Sequence, residues 1–279
     1  MNLPTELPQI GIASKKQSTF SFLLCGTHEG NTDTIILVHS DKRKGKTFLI
    51  SIPRDLFYKG RRVNVIFAKY GAEAFLNEIS WITGLPIDKY ILIDMYAFID
   101  VINILGGIEI ELEEDLIDPT YRVKEDGRWS TMYYPKGIHR LKGLEALRIA
   151  RSRHTSSDLD RAERQQKILT AVKKRIEELG LANIGKLYKL IQTLLKYVDT
   201  NFTPFELVQF YNEFNNTRVD ISNVLSTENV LYQTYSNLYL LNEEQQATMD
   251  DSFDKGAWIL LPKNQDWNLI RWYIREIIN

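Results

Sequence analysis

Apolar residues in this chain follow two rhythms. Short aliphatic and β-branched runs at Phe20–Cys25, Thr34–Val38 and Thr47–Ile52 predict buried strands, the last stopped by Pro53. The charged DKRKGK at 41–46 predicts a hairpin-type turn between two of them. Tyr90–Asp94 is strand-like, and Ile108–Leu112 (IEIEL) alternates as a half-buried strand does. Helical spacing appears where Ala72, Phe75, Leu76, Ile79 and Ile82 share a face, predicting a helix over 71–83. Met95–Leu105 is a second helix, stopped by Gly106 and Gly107. Leu141–Ile149 predicts a short helix and Ala150–Arg153 an extended piece. Leu159–Leu179 predicts a long amphipathic helix with Ser157 or Asp158 as its cap and Gly180 at its end. Segments 184–198, 204–214 and Trp267–Ile278 are further helices, while 113–136 and 215–265 read as long loops. Strands interleaved with helices predict an α/β sandwich in one domain, residues 20–279, behind a leader at 1–19.

Composition narrows the function classes. The chain has 279 residues, 44% of them hydrophobic and 25% charged, as in ordinary globular proteins. A formal net charge of −1 argues against nucleic-acid binding. Cys25 is the only cysteine, which excludes an intrachain disulfide and a multi-cysteine zinc site. No run approaches the ~20 apolar residues that span a bilayer, and the start lacks the pattern of a signal peptide. The residues alone fit a cytoplasmic protein or a domain whose anchor lies upstream.

Three clusters carry candidate chemistry. The segment at 150–166, ARSRHTSSDLDRAERQQ, holds Arg151, Arg153, Arg161 and Arg164 and no lysine. Guanidinium forks match phosphate oxygens two at a time, and a helix start adds positive potential for an anion. The same arginines could instead pair with Asp158, Asp160 and Glu163 on a solvated surface. In SIPRD (51–55), Arg54 and Asp55 sit just past a strand end, where α/β ligand sites collect, or they form a simple surface pair. In GTHEGNTDT (26–34), His28, Glu29 and Asp33 lie in a small loop between strands. That loop is either a source of oxygen ligands for magnesium or a hairpin in which Asp33 caps backbone amides; it is not a P-loop. No GxSxG elbow or HExxH appears. Trp258, Trp267, Trp272 and Tyr273 read as packing rather than a sugar platform.

Taken in order, LLCGTHEGNTDTIILV, FLISIPRDL, VNVIFAKYG, ITGLPIDKYILIDMYAFIDVINILGGIEIEL and GIHRLKGLEALRIARSRHTSSDLDRAERQQKIL resemble the LytR–CpsA–Psr family. The resemblance runs from about Phe20 to the C-terminal ILLPKNQDWNLIRWYI. It implies a phosphotransferase of the cell envelope that moves a glycopolymer from a polyprenyl-pyrophosphate carrier to peptidoglycan and releases polyprenyl phosphate. It implies a three-layer α/β sandwich with a central mixed sheet and a hydrophobic lipid-binding pocket. It also implies an extracytoplasmic domain, attached to the membrane through its lipid substrate and an N-terminal anchor expected upstream of these residues. By motif, Arg54, Arg151, Arg153, Arg161 and Gln165 would bind the pyrophosphate. Asp158 would activate or orient the acceptor hydroxyl, and Asp33 would hold Mg2+.

Two positions depart from the family's pattern. His28 stands where a second aspartate ligand is usual, with Glu29 a possible substitute, and Asn31 replaces a frequent arginine in a shortened loop. This leaves a second reading open, a non-catalytic member that binds the carrier or a glycan through an impaired metal loop. Slot-lining residues for the lipid are expected on helices 71–83, 95–105 and 159–179, and Arg164 on the exposed face of the long helix.

Overall fold

The computed structural model describes residues 18–125, 127–152, 158–179, 184–241, 245–246 and 253–279. Strands β1 (Thr19–His28), β2 (Asn31–Asp41) and β3 (Lys46–Ser51) form an antiparallel meander. The register sets Leu23 opposite Leu37 and Cys25 opposite Ile35. At the β1–β2 turn, Glu29 (φ 51°) and Gly30 (φ 83°) both take positive φ, the geometry of a tight two-residue hairpin. β1 and β2 run past their predicted ends, because the apolar runs mark only the buried middle of each.

Two short strands, β4 (Phe57–Tyr58) and β5 (Arg61–Arg62), pair after the turn that follows β3. Helix α1 (Ile66–Thr83) begins before its predicted start and bends at Gly71. β6 (Tyr90–Asp94) lies parallel to β1, and helix α2 (Met95–Ile104) follows directly, capped by Asp94. β7 (Ile108–Leu112) is the half-buried strand expected. The predicted loop at 113–136 instead holds a hairpin, β8 (Leu116–Glu125) with β9 (Arg128–Tyr134), and β10 (Gly137–Leu141) then pairs with β7. Helix α3 (Gly143–Arg151) continues through Ala150 and Arg151, so the extended piece predicted there is helical up to Arg151.

Helix α4 (Asp158–Glu178) is the long amphipathic helix, and α5 (Ile184–Leu194) follows. Next come β11 (Asp199–Thr200) and α6 (Pro204–Phe214), which carries a Thr203–Glu206 capping box. The predicted loop at 215–265 contains β12 (Arg218–Val224), β13 (Leu231–Tyr235) and β14 (Trp258–Pro262), before α7 (Trp267–Ile278). The main sheet has the order β11-β6-β1-β2-β3-β12 and is mixed: β6 and β12 run parallel to their inner neighbours and the rest antiparallel.

Alternation along the strands builds two cores. Leu23, Cys25, Ile35, Leu37, Phe48 and Ile50 face α1 and α7, meeting Phe75, Ile79, Ile82, Ile270 and Ile274. Phe22, Ile36, Val38 and Leu49 face the other way, toward Phe202, with Leu169 of α4 and Leu207 and Phe210 of α6 packed against them. Helices thus cover both faces, which gives the three layers expected and suits a sheet with apolar residues on both sides. Each large aliphatic side chain buried this way contributes roughly 1.5–3 kcal/mol.

A third core joins α2, α3 and α4 to the β7–β10 and β8–β9 pairs through Ile102, Ile108, Leu112, Met132, Leu141, Ile149 and Ile168. Gly143 allows this packing. A Cβ there would overlap the backbone of Ile99, so only glycine lets α3 start against α2. That contact places the C-terminal end of α3, with Arg151, beside the start of α2.

Candidate functional site

The site forms where β2 begins and β3 ends. Pro53 lacks an N–H and stops β3, and a turn closed by Leu56 N donating to Pro53 O (3.1 Å) presents Arg54 and Asp55. Arg54 Nη1 donates to Asp33 Oδ1 at 2.7 Å, and both side chains are half-buried. Arg54 Nε lies 3.5 Å from Asp55 Oδ2, and Asp55 Oδ1 lies 3.3 Å from Arg62 Nε. Arg62 also donates through Nη2 to the Trp258 carbonyl at 2.6 Å, which ties the chain of alternating charges to β14. Burial pulls the Arg54 guanidinium down, but the hydrogen bond and charge of Asp33, with Asp55, outweigh it and hold Arg54 above its ordinary value. The SIPRD motif and the TDT loop, far apart in sequence, therefore meet in one ion pair. Asp33 is engaged by a guanidinium rather than by backbone amides.

The second wall comes from α3 and α4. Arg151 ends α3 in an exposed position, with Nη1 2.6 Å from Met95 Sδ. Behind it the chain is fastened tightly. Ser152 is fully buried and donates through Oγ to Asp118 Oδ2 at 2.9 Å. Asp118, also buried, accepts at Oδ1 from Thr120 N, Thr120 Oγ1 and Tyr121 N. From α4, Arg164 Nη2 donates to Ser152 O at 2.7 Å and Nε to Ile149 O at 3.3 Å, while Gln165 Nε2 donates to Ala150 O at 3.3 Å. These carbonyls end a helix and have no partner within it, so the two side chains act as a C-terminal cap.

Arg164 is therefore not the exposed residue expected. It is half-buried, and desolvation lowers its pKa against the charges of Asp160, Asp118 and Glu163. Its signal in the sequence is its place in the arginine cluster at 150–166. Asp118 and Ser152 gave none, because their roles depend on contacts far along the chain. Gln166, buried, donates to Ser51 Oγ (2.9 Å) and Asn223 O (3.2 Å) and so locks α4 to the ends of β3 and β12.

Three cavities share walls here. A polar chamber of ≈ 250 Å³ is lined by Arg54, Asp55, Arg161, Ser226, Thr227, Glu228, Gln233 and Trp258, with Asp33, Thr34 and Gln165. Those last three also line a smaller cavity of ≈ 140 Å³, together with His28, Asp94, Met95 and Arg151. That neck in turn shares Leu24, Ile93, Phe98 and Leu169 with an apolar cavity of ≈ 350 Å³ between the sheet and α2, α4, α5 and α6. Ile176, Ile191, Leu194, Leu207 and Phe210 are among its apolar walls. Of the helices expected to form such a slot, α2 and α4 do so. Helix α1 does not, because its apolar face packs on the opposite side of the sheet. Helices α5 and α6, expected only as helices, supply further walls.

The structure thus brings together Asp33, Arg54, Arg151, Arg161, Gln165 and His28. Arg153 lies outside the described residues; Asp158 opens α4, but its side chain is also outside them. Of the closing aromatics, Trp267 packs on Tyr58 and Trp81, Trp272 is exposed, and Trp258 lines the chamber.

The donor set for a magnesium ion is thin. Asp33 already accepts from Arg54, and His28 offers an imidazole 3.7 Å from the exposed Glu29 carboxylate. No group of three or more His, Cys, Asp or Glu side chains suited to a metal occurs among the described residues. Magnesium prefers hard oxygen ligands in near-ideal octahedral geometry, so these residues do not by themselves fit it.

The sequence model of the LytR_cpsA_psr family matches residues 5–254. The chain is 29% identical over 269 residues to the polyisoprenyl-teichoic acid–peptidoglycan teichoic acid transferase TagV of Bacillus subtilis (strain 168), covering 87% of this chain and 67% of that protein. It is 27% identical over 209 residues to biofilm regulatory protein A of Streptococcus mutans, covering 66% of this chain and 50% of that protein. The crystal structure of B. subtilis TagV superimposes with a TM-score of 0.68 at 26% identity, covering 94% of this chain and 97% of that one.

Proposed function

This chain belongs to the LytR_cpsA_psr family, and from that premise we propose that it is a phosphotransferase. In this reading it moves a glycopolymer from a polyprenyl-pyrophosphate carrier to peptidoglycan and releases polyprenyl phosphate. One observation carries it: a small cavity lined by Arg151 shares walls on one side with an apolar cavity and on the other with a polar chamber lined by Arg54 and Arg161. A lipid diphosphate has the same order of apolar tail and doubly charged linker as the apolar cavity and the arginine-lined neck. Each buried methylene of the tail contributes about 0.8 kcal/mol, so the apolar cavity supplies affinity and the arginines supply position. The name of TagV, a teichoic acid transferase acting on peptidoglycan, supports the same substrate class.

In the proposed mechanism, Arg54, Arg151 and Arg161 hold the pyrophosphate with Arg153 and Gln165. Phosphoryl transfer is driven mainly by positioning and charge stabilisation, and the planar guanidinium does both. Asp33 and Asp55 orient Arg54, and no described residue takes its Nη2 donors. The acceptor hydroxyl attacks the sugar-side phosphorus while Asp158 orients it and takes its proton. The bond to the bridging oxygen breaks, and polyprenyl phosphate departs with the electron pair. No step is assigned to magnesium, because Asp33 is spent on Arg54. In this reading the domain acts at the extracytoplasmic face of the membrane, where peptidoglycan lies. Among the described residues, no helix is long and apolar enough to cross a membrane.

The Asp33–Arg54 pair and His28 also favour a second reading, a member that binds carrier without turning it over. Incubating the protein with a polyprenyl-pyrophosphate-linked glycan and soluble glycan strands separates the two. Release of polyprenyl phosphate matched by glycan-bound phosphate supports transfer; saturable carrier binding without release supports the binder.

A further inference from the structure

We infer that the polar chamber beside the neck is the subsite for the acceptor's sugar. The inference rests on the transferase reading above and assigns that reaction a second binding site. The neck sits at the start of β2, where Asp33, Thr34 and Gln165 are shared by both cavities. On the β1–β6 side it shares the walls Ile93 and Phe98 with the apolar cavity. On the β3–β12 side it borders the chamber, whose walls include Arg54, Val224 and Leu225.

In-line displacement places the attacking and leaving oxygens on opposite sides of phosphorus. The leaving polyprenyl phosphate retreats with its tail toward the apolar cavity. The attacking hydroxyl must then arrive from the chamber. Its oxygen bonds to the sugar-side phosphorus as the bridging P–O bond breaks, the bridging oxygen keeps the electron pair, and the hydroxyl proton passes to Asp158.

The walls suit a sugar. A pyranose presents an apolar C–H face and a rim of hydroxyls, and small-ligand pockets match such molecules with an aromatic wall and a few placed polar groups. Trp258 supplies the aromatic wall. Thr227, Glu228 and Gln233 are exposed, line the chamber, and make no side-chain hydrogen bond among the described residues, so their donors and acceptors are available to a ligand. The turn that carries two of them is pre-organised. Asn229 accepts at Oδ1 from Ser226 N (2.9 Å) and donates through Nδ2 to Val224 O (2.8 Å). At ≈ 250 Å³ the chamber falls just below the ~300–1,000 Å³ of pockets for drug-sized molecules, a scale suited to one sugar ring.

The test is steady-state kinetics of the Thr227→Ala/Gln233→Ala double variant and of Glu228→Gln, all at exposed positions. The probes are a polyprenyl-pyrophosphoryl disaccharide as donor and soluble, uncrosslinked peptidoglycan glycan strands as acceptor. Circular dichroism verifies that each variant folds. The expected result is an acceptor KM raised about ten-fold in the double variant, as for the loss of one or two hydrogen bonds, with donor KM unchanged. A raised donor KM with unchanged acceptor KM would mean that the chamber holds the carrier's own sugar, and unchanged constants would mean that it holds none. Either result overturns this inference alone. A wild-type protein that transfers nothing overturns the transferase reading and this inference with it.

Discussion

Arg54 sits between Asp33 and Asp55, each of which holds one edge of its guanidinium, and the remaining edge is left to meet phosphate. Replacing it with alanine removes a charged donor aimed at the reacting group, and rates should fall about 10²–10³-fold. Arg54→Lys keeps the charge but not the fork and should recover only part of the loss. Wild-type transfer in Arg54→Ala would dismiss the clamp. The same pair bears on metal dependence. With Asp33 committed to Arg54, dialysis against EDTA should leave the transfer rate unchanged; a loss restored by added Mg2+ would show that the carboxylate exchanges partners. Arg164 acts one step removed, by capping the carbonyls of Ile149 and Ser152 behind Arg151. Arg164→Met should cost about 1–3 kcal/mol in urea unfolding, since it strands buried acceptors, and should lower transfer more than stability alone explains. Arg164→Lys should restore stability better than rate, because an ammonium reaches one carbonyl but does not reproduce the two-point grip.

At the scale of elements, α5 and α6 form the wall of the apolar cavity farthest from the neck chemistry. Ile191→Trp on α5 should fill that cavity, raising KM for long-chain carriers while sparing short-chain ones. Equal effects on both chain lengths would move the tail elsewhere. These helices were legible in the sequence as helices, from their apolar spacing, but not as cavity walls. Spacing reports which face is apolar and not whether a neighbour fills the space opposite. The β1–β3 meander was legible because its apolar runs are local. The β8–β9 hairpin was not, because its register slips between Asp118 and Arg122 and a buried aspartate interrupts the apolar alternation. Strands β13 and β14 pair Leu231 with Pro262, and no local pattern announces partners that far apart. The site follows the same division. Arg54, Arg151 and Arg161 stood out as arginines in motifs, whereas the Asp33–Arg54 bond and the Asp118–Ser152–Arg164 fastening exist only once the chain has folded.

The whole molecule is a mixed sheet with helices on both faces and a cavity left under one of them. Near the opposite end of β2 from Asp33, the sheet buries His39 with Nδ1 2.8 Å from Ser21 Oγ and its ring 6.3 Å from Phe48. Burial lowers its pKa, with Asp41 opposing and Lys44 assisting. Below the ordinary histidine range the unfolded chain takes up a proton that the folded chain refuses, so stability falls as pH drops through about 6.5. Tm should be lower at pH 5.5 than at 7.5, and His39→Gln should flatten that slope; an unchanged slope would assign the effect to other groups.

The account's central claim is that one molecule of carrier lays its tail in the apolar cavity and its diphosphate at the neck, beside Arg54 and Arg151. A crystal structure with a short-chain polyprenyl pyrophosphate tests it directly. The account predicts the diphosphate within hydrogen-bond reach of Arg54 and Arg151, with the isoprenyl chain between the sheet and helices α5 and α6. A diphosphate bound away from these arginines, or a tail lying along the outer surface with the apolar cavity untouched, would contradict it.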